Sequence, residues 1–235
     1  DGDRVGFVTE KGECIDSDLV LLLFAKDVLS RYPGKTILYD VKTSQLLEEL
    51  IPQYGGTPLM HRTGHAPIKD TLRRNPNIMF AGEQSGHYFF VEGYFKIDDG
   101  LFAAGKMLEL LSAQLGPFSS LFASIPHRVR TPELRLPCAD EIKFQIIGAI
   151  TKNLQSKYPA VTIDGVRIQV TKTGWGIIRA SNTAPYLTVR VEGESEQEVL
   201  QLKSILAQEL EKFPEIGDAL DRSHVASFIG RLGWL

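Results

Sequence analysis

The amino-acid sequence predicts an α/β protein in which a parallel, mixed α/β domain precedes a small α+β domain with an antiparallel four-stranded sheet. Strand-like and helix-like apolar patterns alternate with short loops in the first half of the chain, which is typical of a parallel sheet. Residues 116–137 contain four prolines and no long period. Beyond them the alternation ends and hairpin signals appear, so we expect a domain boundary there, between residues 130 and 131.

The elements of the first half follow from apolar runs and from the turn residues between them. Strands are expected at residues 5–8, 35–41, 57–60 and 78–81, and helices at residues 18–30, 44–54, 67–74 and 98–111. Pro33-Gly34 ends the first helix, Ser44 can cap the second, and Pro67 suits the first turn of the third. The fourth helix has four apolar residues on one face, namely Leu101, Ala104, Leu108 and Leu111.

The second half has a different order of elements. The sequence predicts a helix at residues 140–157, a second helix ending at 212, and strands at 161–163, 166–170, 175–180 and 186–192. Asp164-Gly165 is a hairpin turn signal, and Ser195 with Glu198 forms a capping box for the second helix. Residues 214–235 carry only the weak signal of one short apolar helix.

Composition excludes several classes of protein. The 235 residues suit one large or two ordinary domains, and 43% apolar with 23% charged residues is typical of a globular protein. A formal charge of -3 argues against nucleic acid or an anionic membrane as the partner, and the apolar run 19–25 is too short to span a bilayer. The two cysteines give neither a disulfide framework nor metal-ligand spacing. We therefore expect reduced thiols in a cytoplasmic protein.

Polar side chains follow three of the strands predicted for the parallel sheet. Lys42 and His65 each follow a strand, and residues 82–87 (GEQSGH) lie between two apolar runs. Because ligands bind at the carboxyl edge of an open α/β sheet, we expect these groups to line one edge.

This edge has the chemistry of a site for a polar small molecule. Glu83 and Ser85 offer acceptors for sugar hydroxyls, and His65 or His87 can carry a proton near neutral pH. Each of these residues taken singly could equally be a helix cap or a solvated side chain. Their convergence on one edge is the observation that favours a binding site.

The first four residues, Asp1-Gly2-Asp3-Arg4, carry a candidate metal site. Two carboxylates one residue apart can turn toward one hard cation, and magnesium prefers oxygen ligands shared with a phosphate. The guanidinium of Arg4 suits a phosphorylated ligand. The alternative is a solvated acidic turn. Since the chain opens inside a motif and without methionine, we expect it to be the C-terminal part of a longer protein.

A candidate anion site follows the strand predicted at residues 175–180. Arg179 supplies a planar fork for phosphate oxygens, and the turn formed by Ser181, Asn182 and Thr183 can complete an anion nest. Arg190 alternates with two valines on the next strand, so it can reach the same anion from the polar face. The alternative is an ordinary turn beside a surface arginine.

Read in order, these motifs resemble the α-D-phosphohexomutase family, in particular its phosphomannomutase/phosphoglucomutase branch. The resemblance runs to about residue 212 and includes DGDR, VKTS, TGH, GEQSGH, the DDG helix start and GWGIIRASNTAPYL. It implies that residues 1–11 end the second of four domains, that 12–130 form the sugar-binding third domain, and that 131–235 form the phosphate-binding fourth domain.

The resemblance also implies a reaction. A phosphoserine in an N-terminal domain donates its phosphoryl group to a hexose 1- or 6-phosphate, and the resulting hexose 1,6-bisphosphate turns over and returns the other phosphate. The implied partners are the phosphosugar and the N-terminal domains of the same protein. Without the phosphoserine, this chain alone should be inactive.

Roles follow residue by residue from the resemblance. The implied sugar-binding residues are Lys42, His65, Glu83, Ser85 and His87, of which His65 and His87 are also catalytic together with Arg4. The implied phosphate-binding residues are Arg179, Ser181, Asn182, Thr183 and Arg190. Asp1 and Asp3 are the implied Mg²⁺ ligands, although the family's first metal-binding aspartate is absent from the chain.

Three other functions stay open at this point. Gln84 in the GEQSGH segment also fits a phosphoglucosamine mutase. The chain could instead be a non-catalytic module that binds sugar phosphates. A metal-dependent phosphatase built on Asp1 and Asp3 is a third alternative, but it would have no use for the sugar-binding loop or the second phosphate site.

Overall fold

A computed structural model of the chain describes residues 1–216. The described residues divide into two compact units, Asp1–Pro126 and a second unit that begins at His127. The division lies a few residues before the predicted boundary at 130/131, so Val129–Arg130 belongs to the sheet of the second unit. Residues 1–11 group with the first unit, and their assignment to a preceding domain stays a prediction.

The elements of the first unit confirm the alternation expected from sequence. Its strands are β1 Phe7–Val8, β2 Cys14–Ile15, β3 Thr36–Asp40, β4 Thr57–His61, β5 Ile78–Gly82 and β6 Tyr88–Phe90. Its helices are α1 Ser17–Arg31, α2 Leu46–Leu50, α3 His65–Arg74 and α4 Gly100–Ser112, followed by a 3-10 turn at Phe118–Phe122. Helix α2 is shorter than predicted, although Ser44 Oγ does accept a hydrogen bond of 3.1 Å from the backbone N–H of Leu46.

The main sheet of this unit has the order β4-β3-β5-β6. Strand β3 runs parallel to β4 and β5, which confirms a parallel sheet, while β6 is antiparallel to β5. Residues 83–87 are therefore the connection of a β-hairpin.

Helix α1 packs against this sheet through aromatic contacts. The Phe24 ring lies 5.8 Å from Phe80, 5.3 Å from Tyr88 and 5.1 Å from Phe90, measured between ring centroids. Each of these contacts is edge-to-face, the geometry that aromatic pairs favour. The hairpin strands that flank residues 83–87 are thus held by the main hydrophobic core.

Helix α4 buries a different face from the one that its leucines suggested. Ala103 and Met107 are buried, whereas Leu101 is 83% exposed and Leu108 is 67% exposed. Asp99 caps the helix by accepting a hydrogen bond of 2.9 Å from the Phe102 N–H. This cap sets where the helix begins, whereas the buried face is set by packing of Ala103 and Met107 in the core.

The second unit is an antiparallel α+β domain, as expected, but its sheet has six strands instead of four. The strands are β7 Val129–Arg130, β8 Leu134–Pro137, β9 Ala160–Val161, β10 Val166–Gln169, β11 Trp175–Ala180 and β12 Tyr186–Gly193. The order is β7-β12-β11-β10-β9, with β8 also paired to β12. The two strands that sequence reasoning missed are short and lie in the proline-containing stretch interpreted as a boundary; β8 itself ends at Pro137.

Two helices, α5 Asp140–Gln155 and α6 Glu196–Leu210, pack on this sheet. Ser195 caps α6 by accepting from the Glu198 N–H at 3.3 Å, whereas the Glu198 carboxylate accepts from the Glu194 N–H at 2.5 Å. Beyond a 3-10 turn at Pro214–Ile216, the tail predicted from sequence lies outside the described residues. Within residues 1–216, no helix combines the length and the apolar character needed to cross a membrane.

Gly100 is expected to be intolerant of substitution. Its N–H donates to the Gly2 carbonyl at 2.9 Å, and a Cβ at this position would come 3.0 Å from that oxygen and closer still to the backbone of Arg4. Gly100→Ala should lower the free energy of unfolding by about 1–3 kcal/mol, since backbone must move to relieve the overlap.

Gly105→Ala is the matched control, because a Cβ there meets nothing within 4 Å and alanine favours the helix by up to about 1 kcal/mol. Urea denaturation followed by circular dichroism compares the two variants. Equal stability of both would contradict the close approach of residues 2–4 to α4.

Candidate functional site

The carboxyl ends of β3, β4 and β5 lie at one edge of the first unit's sheet, because these strands run parallel. The structure therefore brings the segments of Lys42, His65 and the hairpin loop to the same edge. We call this edge the rim and define it by residues 40–43, 61–65 and 82–87. The Val41 N–H donates to the His61 carbonyl at 2.9 Å, which ties the first two segments together.

The hairpin loop is fixed by its own backbone. The Glu83 N–H donates to the His87 carbonyl at 2.9 Å, and the Gly86 N–H donates to the Glu83 carbonyl at 3.0 Å. Gly86 has a φ of 88°, a left-handed conformation that glycine adopts without strain. The loop thus presents its side chains from a closed turn.

Glu83 and His87 form a buried pair at the centre of the rim. Glu83 Oε2 lies 3.0 Å from His87 Nδ1, and Glu83 Oε1 accepts a hydrogen bond of 2.7 Å from the Gly64 N–H. Ser85 Oγ also lies 2.9 Å from His87 Nδ1. Glu83 is 1% exposed and His87 5% exposed, so both side chains are oriented by the protein rather than by solvent.

The other ring nitrogen of His87 faces the N-terminal segment. Its Nε2 lies 3.1 Å from Arg4 Nε and 3.2 Å from Asp3 Oδ2. When Nε2 is unprotonated it accepts the hydrogen bond of Arg4, and when it is protonated it donates to Asp3. His87 can therefore hold a proton in one state and lack it in the other, with a partner for each.

The surroundings shift the pKa values of this pair in opposite directions. Burial by itself lowers the pKa of His87, but the hydrogen bond and charge of Glu83 outweigh it, and the pKa is raised. Burial by itself raises the pKa of Glu83, but His87, the Gly64 N–H and Lys42 outweigh it, and the pKa is lowered. The pair therefore favours an ionised carboxylate beside a protonated imidazole.

His65 lies next to this pair and is open to solvent. Its side chain is 56% exposed, and its ring centroid lies 6.2 Å from that of His87. Asp98 Oδ2 is 3.7 Å from His65 Nδ1, and Asp98 Oδ1 accepts from Lys69 Nζ at 2.9 Å. A charged network therefore runs from the rim to α3.

Lys42 is buried at the rim beside Asp40, the last residue of β3. Its Nζ lies 4.0 Å from Asp40 Oδ2. Burial raises the pKa of Asp40 to about 6, with the charge of Glu83 adding to the rise and that of Lys42 opposing it. The positive charge of Lys42 thus favours the ionised form of two buried carboxylates, Asp40 and Glu83.

The two predicted metal ligands lie in different surroundings. Asp1 is exposed, while Asp3 groups with His87 and Asp98, whose ligand atoms all lie within 4.8 Å of one another. The carboxylates of Asp1 and Asp3 flank Gly2, whose φ of 84° makes a left-handed turn. Their all-oxygen chemistry suits magnesium, whereas a set that includes the His87 nitrogen does not. Metal binding by Asp1 and Asp3 stays a prediction.

The predicted anion loop of the second unit is an ordered turn after β11. Ser181 Oγ accepts from the Thr183 N–H at 3.3 Å and from the Ala184 N–H at 3.2 Å, and Lys143 Nζ donates to the Ala184 carbonyl at 3.0 Å. Asn182 and Thr183 are exposed. The Ser181 hydroxyl therefore organises the turn and also lies 3.5 Å from Thr183 Oγ1, while the Asn182 side chain is exposed to solvent.

The two predicted phosphate-binding arginines share one face of the sheet but have different neighbours. Arg179 pairs in register with Thr188, which is two residues from Arg190 on the same face. Arg179 Nε donates to Asp164 Oδ2 at 3.1 Å. Arg190 is 2% exposed, and its guanidinium lies 6.0 Å from the Trp175 ring centroid.

Sequence reasoning missed two acidic residues of the site, Asp40 in the rim and Asp98 next to it. Asp40 was counted within an apolar strand, yet a charged residue in a buried run is itself a signal, because such residues are rarely buried without partners. Asp98 was interpreted as part of a helix start. The cap is Asp99, and the Asp98 side chain is left to face His65, His87 and Lys69.

Comparison with known proteins identifies both units. Residues 16–129 match the model of the phosphoglucomutase/phosphomannomutase alpha/beta/alpha domain III, and residues 133–209 match the model of the C-terminal domain of the same proteins. A phosphomannomutase/phosphoglucomutase of Pseudomonas syringae pv. tomato is 43% identical over 213 residues, covering 90% of this chain and 45% of that protein. A phosphoglucomutase of Neisseria meningitidis is 37% identical over 219 residues, covering 92% and 47%.

A solved structure agrees with these matches. The crystal structure of a phosphoglucomutase/phosphomannomutase family protein from Burkholderia thailandensis superposes with a TM-score of 0.82 at 37% identity, covering 90% of this chain and 45% of that one. The chain thus spans about half the length of the curated relatives it matches.

The fold and the rim define a two-domain α/β and α+β protein with a polar site at the carboxyl edge of a parallel sheet. More specifically, the chain belongs to the phosphoglucomutase/phosphomannomutase family, of which it contains domain III and the C-terminal domain.

The raised pKa of Asp40 predicts a pH-dependent effect of Asp40→Asn. Between pH 4 and 6 the folded protein keeps the Asp40 proton while the unfolded chain, with a value near 3.8, loses it. Ionised Asp40 therefore lowers stability progressively across this window, by about 1.4 kcal/mol per pKa unit. The stability of Asp40→Asn relative to wild type should rise from pH 4 to pH 6.5 and then level off.

Urea denaturation at a series of pH values, followed by near-ultraviolet circular dichroism of tyrosine, measures this difference. Both tryptophans, Trp175 and Trp234, come after residue 126, so tyrosine is the better probe of the first unit. Asp70→Asn, on the surface of α3, is the control and should show no such trend. A difference that is constant with pH would contradict the burial of an ionised Asp40.

Proposed function

We propose that this chain is the C-terminal part of a magnesium-dependent phosphohexomutase that interconverts the 1- and 6-phosphates of mannose or glucose. The observation that carries the proposal is the buried Glu83–His87 pair at the rim, where His87 also contacts Arg4 and Asp3. Further support comes from relatives named as phosphomannomutase or phosphoglucomutase.

The rim residues suit a sugar that binds in two orientations. Glu83 is ionised and buried, so its remaining lone pairs accept hydrogen bonds from sugar hydroxyls, and Ser85 can donate or accept. Lys42 and the exposed ring of His65 complete the set of sugar contacts. Hydroxyl groups of either orientation meet donors and acceptors of this kind, as a reorienting bisphosphate requires.

His87 is proposed to exchange a proton with the attacking hydroxyl, and His65 and Arg4 are proposed to lie beside the reacting group. Nδ1 of His87 stays on Glu83, so Nε2 is the nitrogen that gains or loses the proton. In the protonated form, which the pair favours, Nε2 donates to Asp3 Oδ2 at 3.2 Å. The guanidinium of Arg4 then turns its charge to phosphoryl oxygens.

The second unit is proposed to bind the phosphate that is not being transferred. Arg179, with its Nε held by Asp164, keeps its terminal nitrogens for phosphate oxygens. The exposed side chains and backbone N–H groups of the turn add further donors. The residues assigned to this phosphate site are Arg179, Ser181, Asn182, Thr183 and Arg190.

Magnesium is proposed to bind Asp1 and Asp3 together with ligands outside this chain. When bound, it supplies positive charge that offsets the charge of the transferring phosphoryl group. The phosphoserine belongs, in this proposal, to N-terminal domains of the same protein, and hexose 1,6-bisphosphate is the intermediate and activator. Two free cysteines, one exposed and one buried, are compatible with a cytoplasmic location.

The activity is tested with protein expressed from the full reading frame that contains this chain. Glucose 1-phosphate, magnesium and a trace of glucose 1,6-bisphosphate should yield glucose 6-phosphate, and mannose 1-phosphate should react likewise. The 235-residue chain alone should give no turnover. Absence of conversion with both sugars would refute the mutase, and preferential use of glucosamine 6-phosphate would reassign it to phosphoglucosamine mutases.

Arg179→Ala should weaken the binding of every phosphosugar by about 1.5–3 kcal/mol, the contribution of a charge-assisted hydrogen bond. Calorimetric titration of the chain with glucose 6-phosphate measures the loss, and Arg179→Lys should restore part of it. Arg135→Ala is the control, because the Arg135 side chain is 64% exposed and pairs with Glu133. Unchanged affinity in Arg179→Ala would remove this arginine from the phosphate site.

A further inference from the structure

Asp40 joins the three segments of the rim through one carboxylate. Its Oδ1 accepts a hydrogen bond of 3.1 Å from the Gln84 N–H, and its Oδ2 accepts one of 3.2 Å from Thr63 Oγ1. Lys42 Nζ lies 4.0 Å from the same Oδ2. One side chain at the end of β3 thus contacts the loops that follow both neighbouring strands.

Glu83 contacts the same Thr63–Gly64 segment as Asp40, but from the hairpin loop. Glu83 Oε1 holds the Gly64 N–H, so the segment with Thr63 and Gly64 is held from the hairpin loop and from β3 at once. The hairpin loop is held in turn by Asp40 at Gln84, the residue next to Glu83. Removing Asp40 would therefore release both loops, although Asp40 itself touches no predicted sugar contact except Lys42.

The burial of Asp40 is difficult to explain by packing alone. It is 0% exposed, and the charged groups that face it are Lys42 from its own segment, Glu83 from the hairpin loop and Asp18 from α1. Two of these three are acidic, so ionisation of the Asp40 carboxyl group lowers the free energy of unfolding. A neutral side chain of similar size would be easier to bury, which suggests that the acceptor geometry serves the site.

We propose that Asp40 is a positioning residue that sets the spacing between the hairpin loop and the Thr63–Gly64 segment for sugar binding. The proposal rests on the proposed function in that the positioned groups, Glu83 and His65, are taken to bind sugar. Its structural content, the two hydrogen bonds of Asp40, can be tested without any ligand.

The first test measures amide hydrogen exchange of the ligand-free 235-residue chain by nuclear magnetic resonance. In Asp40→Ala the Gln84 amide should exchange at least 10-fold faster than in wild type. Asp40→Asn keeps an acceptor for Gln84 and a polar partner for Thr63, so its exchange should stay within about 3-fold of wild type. Asp70→Asn is the surface control. Unchanged Gln84 exchange in Asp40→Ala would overturn the proposal.

The second test titrates the same proteins with glucose 1-phosphate and, separately, with inorganic phosphate. Asp40→Ala should weaken glucose 1-phosphate binding about 10-fold and inorganic phosphate binding less than 2-fold, and Asp40→Asn should restore most of the loss. Equal weakening of both probes would indicate a general loss of structure and overturn the positioning role.

A third pair of variants covers the case in which Asp40→Ala does not fold. Thr63→Val removes only the hydroxyl that donates to Asp40 and should weaken glucose 1-phosphate binding 3- to 10-fold, whereas Thr63→Ser should not. Identical behaviour of the two would overturn the proposal. If protein from the full reading frame gave no mutase turnover while Gln84 exchange still depended on Asp40, the proposed function would fail, and the hydrogen bonds by which Asp40 joins the two loops would remain established.

Discussion

The rim depends on the burial of two carboxylates, Asp40 and Glu83, within one sheet edge. Each must be fully hydrogen-bonded, because a buried charge without partners costs several kcal/mol. The partners that satisfy them are backbone N–H groups of the other segments, at Gln84 and Gly64. The need to satisfy these charges therefore draws three separate loops into one fixed arrangement, and the imidazole of His87 is oriented as a consequence.

The same strands contribute to the hydrophobic core through their apolar side chains and to the rim through the loops at their ends. The Phe24 ring of α1 packs edge-to-face on Phe80, Tyr88 and Phe90, so helix α1 stabilises both strands of the hairpin. The loop between them carries polar side chains without having to provide its own stability. This division of tasks is common in open α/β folds, where ligands bind beyond the carboxyl ends of the strands.

Much of this architecture could be read from the sequence, because its local signals agree with the fold. The alternation of strands and helices, the turn at Asp164-Gly165 and the cap at Ser195 all depend on neighbouring residues. Each element predicted within residues 1–212 is present. The positions of Lys42, His65 and the hairpin loop at one edge followed from the parallel order of the strands alone. The family resemblance rested on motifs of the same local kind.

What the sequence determined by itself was the order of elements, the parallel and antiparallel classes of the two sheets and the set of polar segments at the rim. Tertiary structure decided the rest, because it depends on contacts between residues far apart in the chain. The buried face of α4 follows from the packing of Ala103 and Met107 in the core of the first unit. In the described part of the chain, the strands β7 and β8 pair only with β12. Likewise, Asp40 could not be recognised as a partner of Gln84 and Thr63 until the three strand ends lay side by side.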